Sequence, residues 1–405
     1  MTMTRRTLVG STAALPLLGA ARARAQAGIA LKLGVLTDLS GPYQDVAGPV
    51  AVKAAQLALE DYGASTKGLN VEVLSADHQN KPDIGAGIAR QWFDQGVDLI
   101  VEVANSGVAV AVAGVAKDKN KVYLNSGAAT SDLTGTLCNA NTIHWAYDTY
   151  MLSRSTGGAL TKSGGDTWFF ITADYNFGNA LQRDATEFVT AAGGKVLGSV
   201  KYPFPGTTDF SSLLLQAQTS GAKVLGVANA GADTVNTIKQ AKEFGIKMEI
   251  AGLLLFLTDI HSLGLEVAQG IDLTDSFYWD MNDRTRAFSE RLKPKAPAIR
   301  PTMVHAGVYS SVLHYLKTAQ DMGAGVRADG AATVARMKAM PTDDDCFGAG
   351  TIRADGRKIH PSYLWQVKTP AESKGPWDYY KLVATTPADQ AFRPLGVGGC
   401  NIVKS

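Results

Sequence analysis

Short β-rich runs alternate with longer helical stretches twice along this chain, and that rhythm leaves few folds open to it. In the first series, 31–36 reads as a buried strand, 46–62 as an amphipathic helix and 71–75 as a strand. A helix over 83–95 comes next, with Asp83 placed to cap its start, and then an apolar strand over 97–103 broken only by Asp98 and Glu102. A small-residue helix over 108–117 and a strand over 122–124 complete the series. The rhythm restarts after Trp145, with strands at 167–172, 195–202 and 224–227 alternating with helices at 178–192, 210–219 and 232–244. Each series predicts βαβ units and a parallel sheet, so the fold class is α/β with two doubly wound lobes.

Beyond Asp283 the pattern changes. Helices at 283–292, 304–323 and 330–339 outnumber strands, so they cover an existing sheet and the chain crosses between lobes more than once. Thr351-Ile-Arg-Ala-Asp-Gly-Arg-Lys-Ile then carries an Asp-Gly turn of the kind that favours hairpins.

The first residues read as an export leader. Met1-Thr-Met-Thr-Arg-Arg opens it, Ala14-Leu-Pro-Leu-Leu-Gly-Ala is its weakly apolar middle, and Ala23-Arg-Ala-Gln-Ala27 its A-x-A close. Arg5-Arg6 is the twin-arginine signature read by the Tat system, and the lack of a cysteine at the cleavage site predicts no lipid anchor. No later apolar run approaches the ~20 residues of a membrane-spanning helix. Without Arg5, Arg6, Arg22 and Arg24, the 39 Lys and Arg residues fall to 35 against 37 Asp and Glu. The mature chain is therefore near −2 and offers no basic surface for nucleic acid. Of the three cysteines, Cys138 and Cys400 are favoured as the disulfide, because Cys346 sits in the acidic run Asp343-Asp-Asp-Cys, which disfavours a thiolate.

Enzyme signatures are missing where an α/β fold would carry them. The first strand runs out into Thr37-Asp-Leu-Ser-Gly-Pro-Tyr, whose Pro42 lacks the N–H that a phosphate cradle needs. No G-x-S-x-G elbow, P-loop or H-E-x-x-H occurs, and the six histidines are dispersed. Neither catalysis nor a metal or cofactor is expected. Ligands in such sheets bind beyond the carboxyl ends of the strands. In the first series those ends carry Tyr43, then Asn105 and Ser106 at a helix start, then Asn125-Ser-Gly-Ala-Ala-Thr-Ser131. Hydroxyls and free N–H groups there suit a carboxylate, although the same hydroxyls could simply cap helices. In the second series the ends are aromatic and apolar: Thr172-Ala-Asp-Tyr-Asn-Phe-Gly178 with Tyr175 and Phe177, Asn229 after the third strand, and Leu253–Phe256. Tyr150 flanks a crossover. A polar end facing an apolar wall describes a cleft for an amphipathic small acid.

Four segments carry a family resemblance: Leu33-Gly-Val-Leu-Thr-Asp-Leu-Ser-Gly-Pro, Ser126-Gly-Ala-Ala-Thr-Ser-Asp-Leu-Thr, Asp174-Tyr-Asn-Phe-Gly and Asp209-Phe-Ser-Ser-Leu. With them the chain resembles the periplasmic substrate-binding proteins of ABC transporters of the leucine/isoleucine/valine-binding type, from Leu31 to about Lys381. The resemblance implies a type I periplasmic binding fold, two lobes joined by three crossovers near 145–148, 277–279 and 347–350, with ligand trapped by closure. It divides the chain into a leader over 1–27, lobe 1 over 28–146 and 278–347, and lobe 2 over 147–277 and 348–405. It implies that Ser106 and the Ala128-Ala129-Thr130 turn hold the ligand carboxylate, and that Tyr43 offers a ring for stacking. Where amino-acid binders of the family hold an acidic group for the ligand ammonium, this chain has Leu254–Phe256. That departure implies a hydrophobic, aromatic-type carboxylate as the ligand, and the resemblance as a whole a monomeric, non-enzymatic periplasmic receptor partnered by an inner-membrane ABC permease. The alternatives are a branched-chain amino acid or amide receptor, a ligand sensor for a membrane signalling protein, and, weakest, an exported enzyme.

Overall fold

The computed structural model describes Thr2 and residues 28–403, so the leader expected over 1–27 lies outside the described residues. The first sheet holds β1 (Ile29–Thr37), β2 (Leu69–Asp77), β3 (Leu99–Glu102), β4 (Val122–Asn125) and β5 (Thr142–His144), all parallel, in the order β2-β1-β3-β4-β5. Alternate residues of its central strands feed two apolar layers. Leu33, Val35, Leu99 and Val101 face one core, with Ala51, Ala55, Val308 and Val312 of the covering helices. Leu36 and Ile100 face the other, with Ala89, Trp92, Val108 and Val112. β3 is buried along its whole length, as expected for a strand covered on both faces.

The second sheet holds β6 (Thr167–Ala173), β7 (Lys195–Tyr202), β8 (Val224–Ala228), β9 (Glu249–Gly252) and β10 (Asp272–Asp275), again parallel. After the hairpin of β11 (Thr351–Ile352) and β12 (Lys358–Ile359), two antiparallel strands, β13 (Ser362–Val367) and β14 (Tyr380–Thr386), extend it. The order is β14-β13-β10-β9-β8-β6-β7, a mixed sheet rather than the wholly parallel one expected. β13 begins beside the carboxyl end of β10, with Tyr363 opposite Asp275, and so runs against it, and β14 folds back on β13.

The helices after Asp283 return to the first sheet. Met303–Met322 packs on Gly48–Tyr62 and is buried on nearly every side, which is why its sequence lacks a clear polar face. Its start is fixed by Thr302, whose hydroxyl accepts from the Val304 N–H and donates to the Val46 carbonyl at 2.9 Å.

The chain passes between lobes at 145–148, at 276–282 and again at His360-Pro361. The hairpin before that last passage differs from expectation: placed with lobe 2 by the boundary at 348, it lies beside β5, where Arg357 bridges His144. The fully buried Arg357 guanidinium donates to the carbonyls of Trp145 and Tyr147 at 3.0 and 3.1 Å, and so grips the first passage. Cys138 and Cys400 form a disulfide across a sequence separation of 262, tying the chain's tail to the first lobe. Cys346 is a buried free thiol, its pKa pushed well up by burial and by Asp344 and Asp345. No helix among the described residues is long and apolar enough to cross a membrane.

Candidate ligand-binding cleft

The carboxyl ends of the two sheets face each other across the passages, and the loop after β1 shows how local chemistry aims a side chain there. Asp38 is fully buried and accepts from the Gly41 N–H (2.6 Å), the Tyr43 N–H (2.8 Å) and Asn80 Nδ2 (2.7 Å). Those bonds fold 38–43 into a tight loop and drive the Tyr43 ring into the cleft. There it stacks on Phe204 of the second lobe, 5.5 Å between centroids, and its hydroxyl pairs with that of Tyr175. Tyr175 in turn stacks on Phe204 at 4.5 Å. Burial raises the pKa of both tyrosines, so the pair stays neutral.

Behind these rings lies a small cavity that its own side chains nearly fill. From the first lobe it is walled by Val46, Ala104, Gly127, Ala129 and Val304, and from the second by Phe177, Ala230, Leu254 and Phe256, with Tyr147 of the first passage between them. Tyr147 donates to the Gly127 carbonyl and meets Phe256 edge to face at 6.1 Å. Among the described residues no Lys or Arg lines the cavity. At its second-lobe wall, Asp259 accepts from the Phe256 N–H at 2.9 Å as a helix cap. Burial lifts Asp259 to about 7, the Phe256 bond opposing part of the rise. The arrangement is a narrow, mostly apolar slot with backbone groups and tyrosine hydroxyls as its polar fittings.

Of the residues expected at the site, Tyr43, Ala129, Tyr175, Phe177 and Phe256 line this cavity. Six others do not. Asn105 caps the helix Ser106–Asp118 by accepting from the Gly107 and Val108 N–H groups, so its carboxamide is consumed locally. Ser106 accepts from the Thr130 N–H at 3.2 Å, one layer behind the wall. Thr130 caps the turn Ser131–Thr134 through the Asp132 N–H, and Ala128 gives its carbonyl to His144 and Asn125. Asn229 is held by Thr234 and Thr237. Tyr150, three residues past Tyr147, packs edge-on against Phe188 and does not line the cavity. Val46, Ala104, Gly127, Tyr147, Ala230, Leu254 and Val304 complete the wall; of these, Gly127, Tyr147 and Leu254 fell within stretches singled out in the sequence, though not as ligand-lining residues. Among the described residues no cluster of His, Cys, Asp or Glu could hold a metal ion. His144, His305 and His314 are buried with carbonyl partners, and burial lowers their pKa values.

Comparison with known proteins agrees with this architecture. The profile of the family described as periplasmic binding protein matches residues 30–376. A periplasmic binding protein from Burkholderia mallei is 48% identical, with a TM-score of 0.89 over 93% of this chain and 100% of that one. A branched chain amino acid ABC transporter periplasmic ligand-binding protein from Burkholderia xenovorans LB400 is 41% identical, with a TM-score of 0.80 over 92% and 99%. An ABC transporter solute binding protein from R. palustris, solved in complex with benzoate, shares the fold at 19% identity and a TM-score of 0.81 over 92% and 99%.

Proposed function

This chain belongs to the periplasmic binding protein family, the periplasmic receptors of ABC transporters, and from that premise we propose that it captures a small hydrophobic monocarboxylate, aromatic in type, between its lobes. The observation that carries this reading is the wall of the cavity: Tyr43, Tyr147, Tyr175, Phe177, Leu254 and Phe256 surround it, and none of its lining residues is an acid. Burying an ammonium without a partner costs several kcal/mol, which selects against a free amino acid. The helix Ser106–Asp118 starts beside the Ala129 turn, and its dipole suits a carboxylate there.

The leader fits export by the twin-arginine route, and the receptor meets its permease as a diffusing monomer. It binds and releases, and performs no chemistry. A second reading, a branched-chain amino acid receptor, is favoured by the Burkholderia xenovorans relative's name. A thermal-shift panel separates the two. At a hundredfold excess over Kd a true ligand adds about 2.7 kcal/mol of stability. Benzoate, cinnamate or 3-phenylpropionate is expected to raise the melting temperature and leucine to leave it unchanged; the reverse pattern sinks the aromatic reading.

A further inference from the structure

The apolar strand β3 ends in a residue that fits none of the ordinary roles of a buried acid. Glu102 is fully buried, and neither carboxyl oxygen has a hydrogen-bond partner. No lysine, arginine or histidine pairs with it among the described residues. Its φ is +83° and that of Val103 is +64°, so two successive residues with side chains occupy the left-handed region. Each costs of order 1–3 kcal/mol there, and such strain persists where function holds it in place. The neighbouring wall residue explains how the carboxyl fits. A Cβ on Gly127 would stand 2.0 Å from Glu102 Oε1 and 2.8 Å from the Ala104 Cα. Both Gly127 and Ala104 line the cavity. The carboxyl therefore sits directly behind the wall at Gly127, in the place a side chain there would take, without itself lining the cavity.

We propose that Glu102, carrying its proton, is the hydrogen-bond donor that recognises the ligand's carboxylate from behind the cleft wall at Gly127, so that an anion is bound only while this acid is neutral. The inference rests on the carboxylate reading above. Its surroundings support the neutral form. Thr37 and Asp38 face it from the end of β1, Tyr123 from β4 and Tyr147 from the first passage, and none carries positive charge. Burial lifts its pKa to about 8; Thr37 and the Val103 and Ala104 N–H groups oppose the rise without reaching hydrogen-bond geometry. A neutral acid facing a carboxylate makes a strong charge-assisted bond. An ionised one would place two negative charges in a mostly apolar cavity, where they repel strongly. Above the pKa, capture of one anion therefore draws one proton from solvent onto Glu102.

The test is calorimetric titration of benzoate and 3-phenylpropionate from pH 6 to 9.5, in two buffers of different ionisation enthalpy. Affinity is expected to be flat below about pH 8 and to fall about tenfold per pH unit above it, with uptake approaching one proton per ligand. Glu102→Gln keeps size and a donor, and is expected to bind at low pH within severalfold of the native chain and to lose both the slope and the proton uptake. Glu102→Gly relieves the left-handed backbone, so it should fold and bind at least tenfold more weakly at every pH. A flat native profile, a slope retained in Glu102→Gln, or native affinity in Glu102→Gly overturns the proposal while leaving the carboxylate reading intact. If neither acid binds at any pH, both fail.

Discussion

Gly231→Ala is expected to weaken ligand capture about ten- to a hundredfold while leaving each lobe folded. Gly231 starts the helix Ala232–Glu243 on the second lobe, and a Cβ there would lie 2.4 Å from the Pro42 carbonyl oxygen and 3.1 Å from the Tyr43 ring of the first. The next residue's N–H already donates to that same carbonyl at 3.2 Å, so the lobes touch backbone to backbone at this point. Backbone cannot step aside as a flexible side chain would, and overpacking of this kind costs about 1–3 kcal/mol. That cost falls on the closed form alone. The substitution also strains φ, which is +61° at Gly231, and this part of the effect falls on open and closed forms alike. Gly245→Ala is the control: its φ is +64° with nothing within 4 Å of the added carbon, so it should lose a little stability and no affinity. Ligand titration of both variants, with melting curves alongside, reads the difference. Equal affinity in the two would mean that capture does not need this closed contact.

Replacing Cys138 and Cys400 together by alanine is expected to lower the unfolding free energy by about 2–5 kcal/mol, the cost usual for losing a native disulfide. The bond closes a loop with a sequence separation of 262, so most of the chain gains freedom in the unfolded state when it is absent. The tail it anchors also reaches the place where the lobes meet. Arg393 donates to Ser131 Oγ at 2.8 Å and lies 3.4 Å from Asp184. Asp184 itself accepts from Ser131 and Thr149 at 2.8 and 2.6 Å, while Arg183 pairs with Asp132 across the lobes at 3.0 Å. Urea unfolding of the double variant, and of the native chain under reducing conditions, should show the same shift of midpoint. An unchanged midpoint would mean that the tail's packing alone holds it.

Much of this architecture is visible in the amino-acid pattern. The runs read as strands at 195–202 and 224–227 and as helices at 283–292 and 330–339 match the observed elements closely, because period and length both distinguish strand from helix there. A count of elements sufficed to lay the late helices over an existing sheet; that this is the first sheet followed only from the family resemblance. β13 and β14 escaped notice as an extension of the second sheet, since their pairing depends on where the chain re-enters that lobe.

The cleft was harder to read for a related reason. Asn105 and Thr130 have the chemistry of ligand-binding residues, but a helix start or a tight turn within three residues captures their side chains first. Tyr147 and Tyr150 look equivalent in sequence; the helix that begins at Thr149 turns the second away from the cavity. Ala104, Gly127 and Ala230 line the cavity because of what they lack, and a missing side chain leaves no chemical signal. Glu102 stood out as a charge in an apolar strand, yet its place beside the cavity depends on Gly127, far along the chain in the next βα loop.

The central claim is that this cleft takes a hydrophobic carboxylate and rejects the corresponding amino acid. 3-Phenylpropionate and phenylalanine differ only in the ammonium group, so titrating both calorimetrically at pH 7 isolates that group's cost. The account predicts that the acid binds at least about a hundredfold more tightly, since an unpartnered buried ammonium costs several kcal/mol. Phenylalanine binding as tightly as the acid, or more tightly, would contradict it.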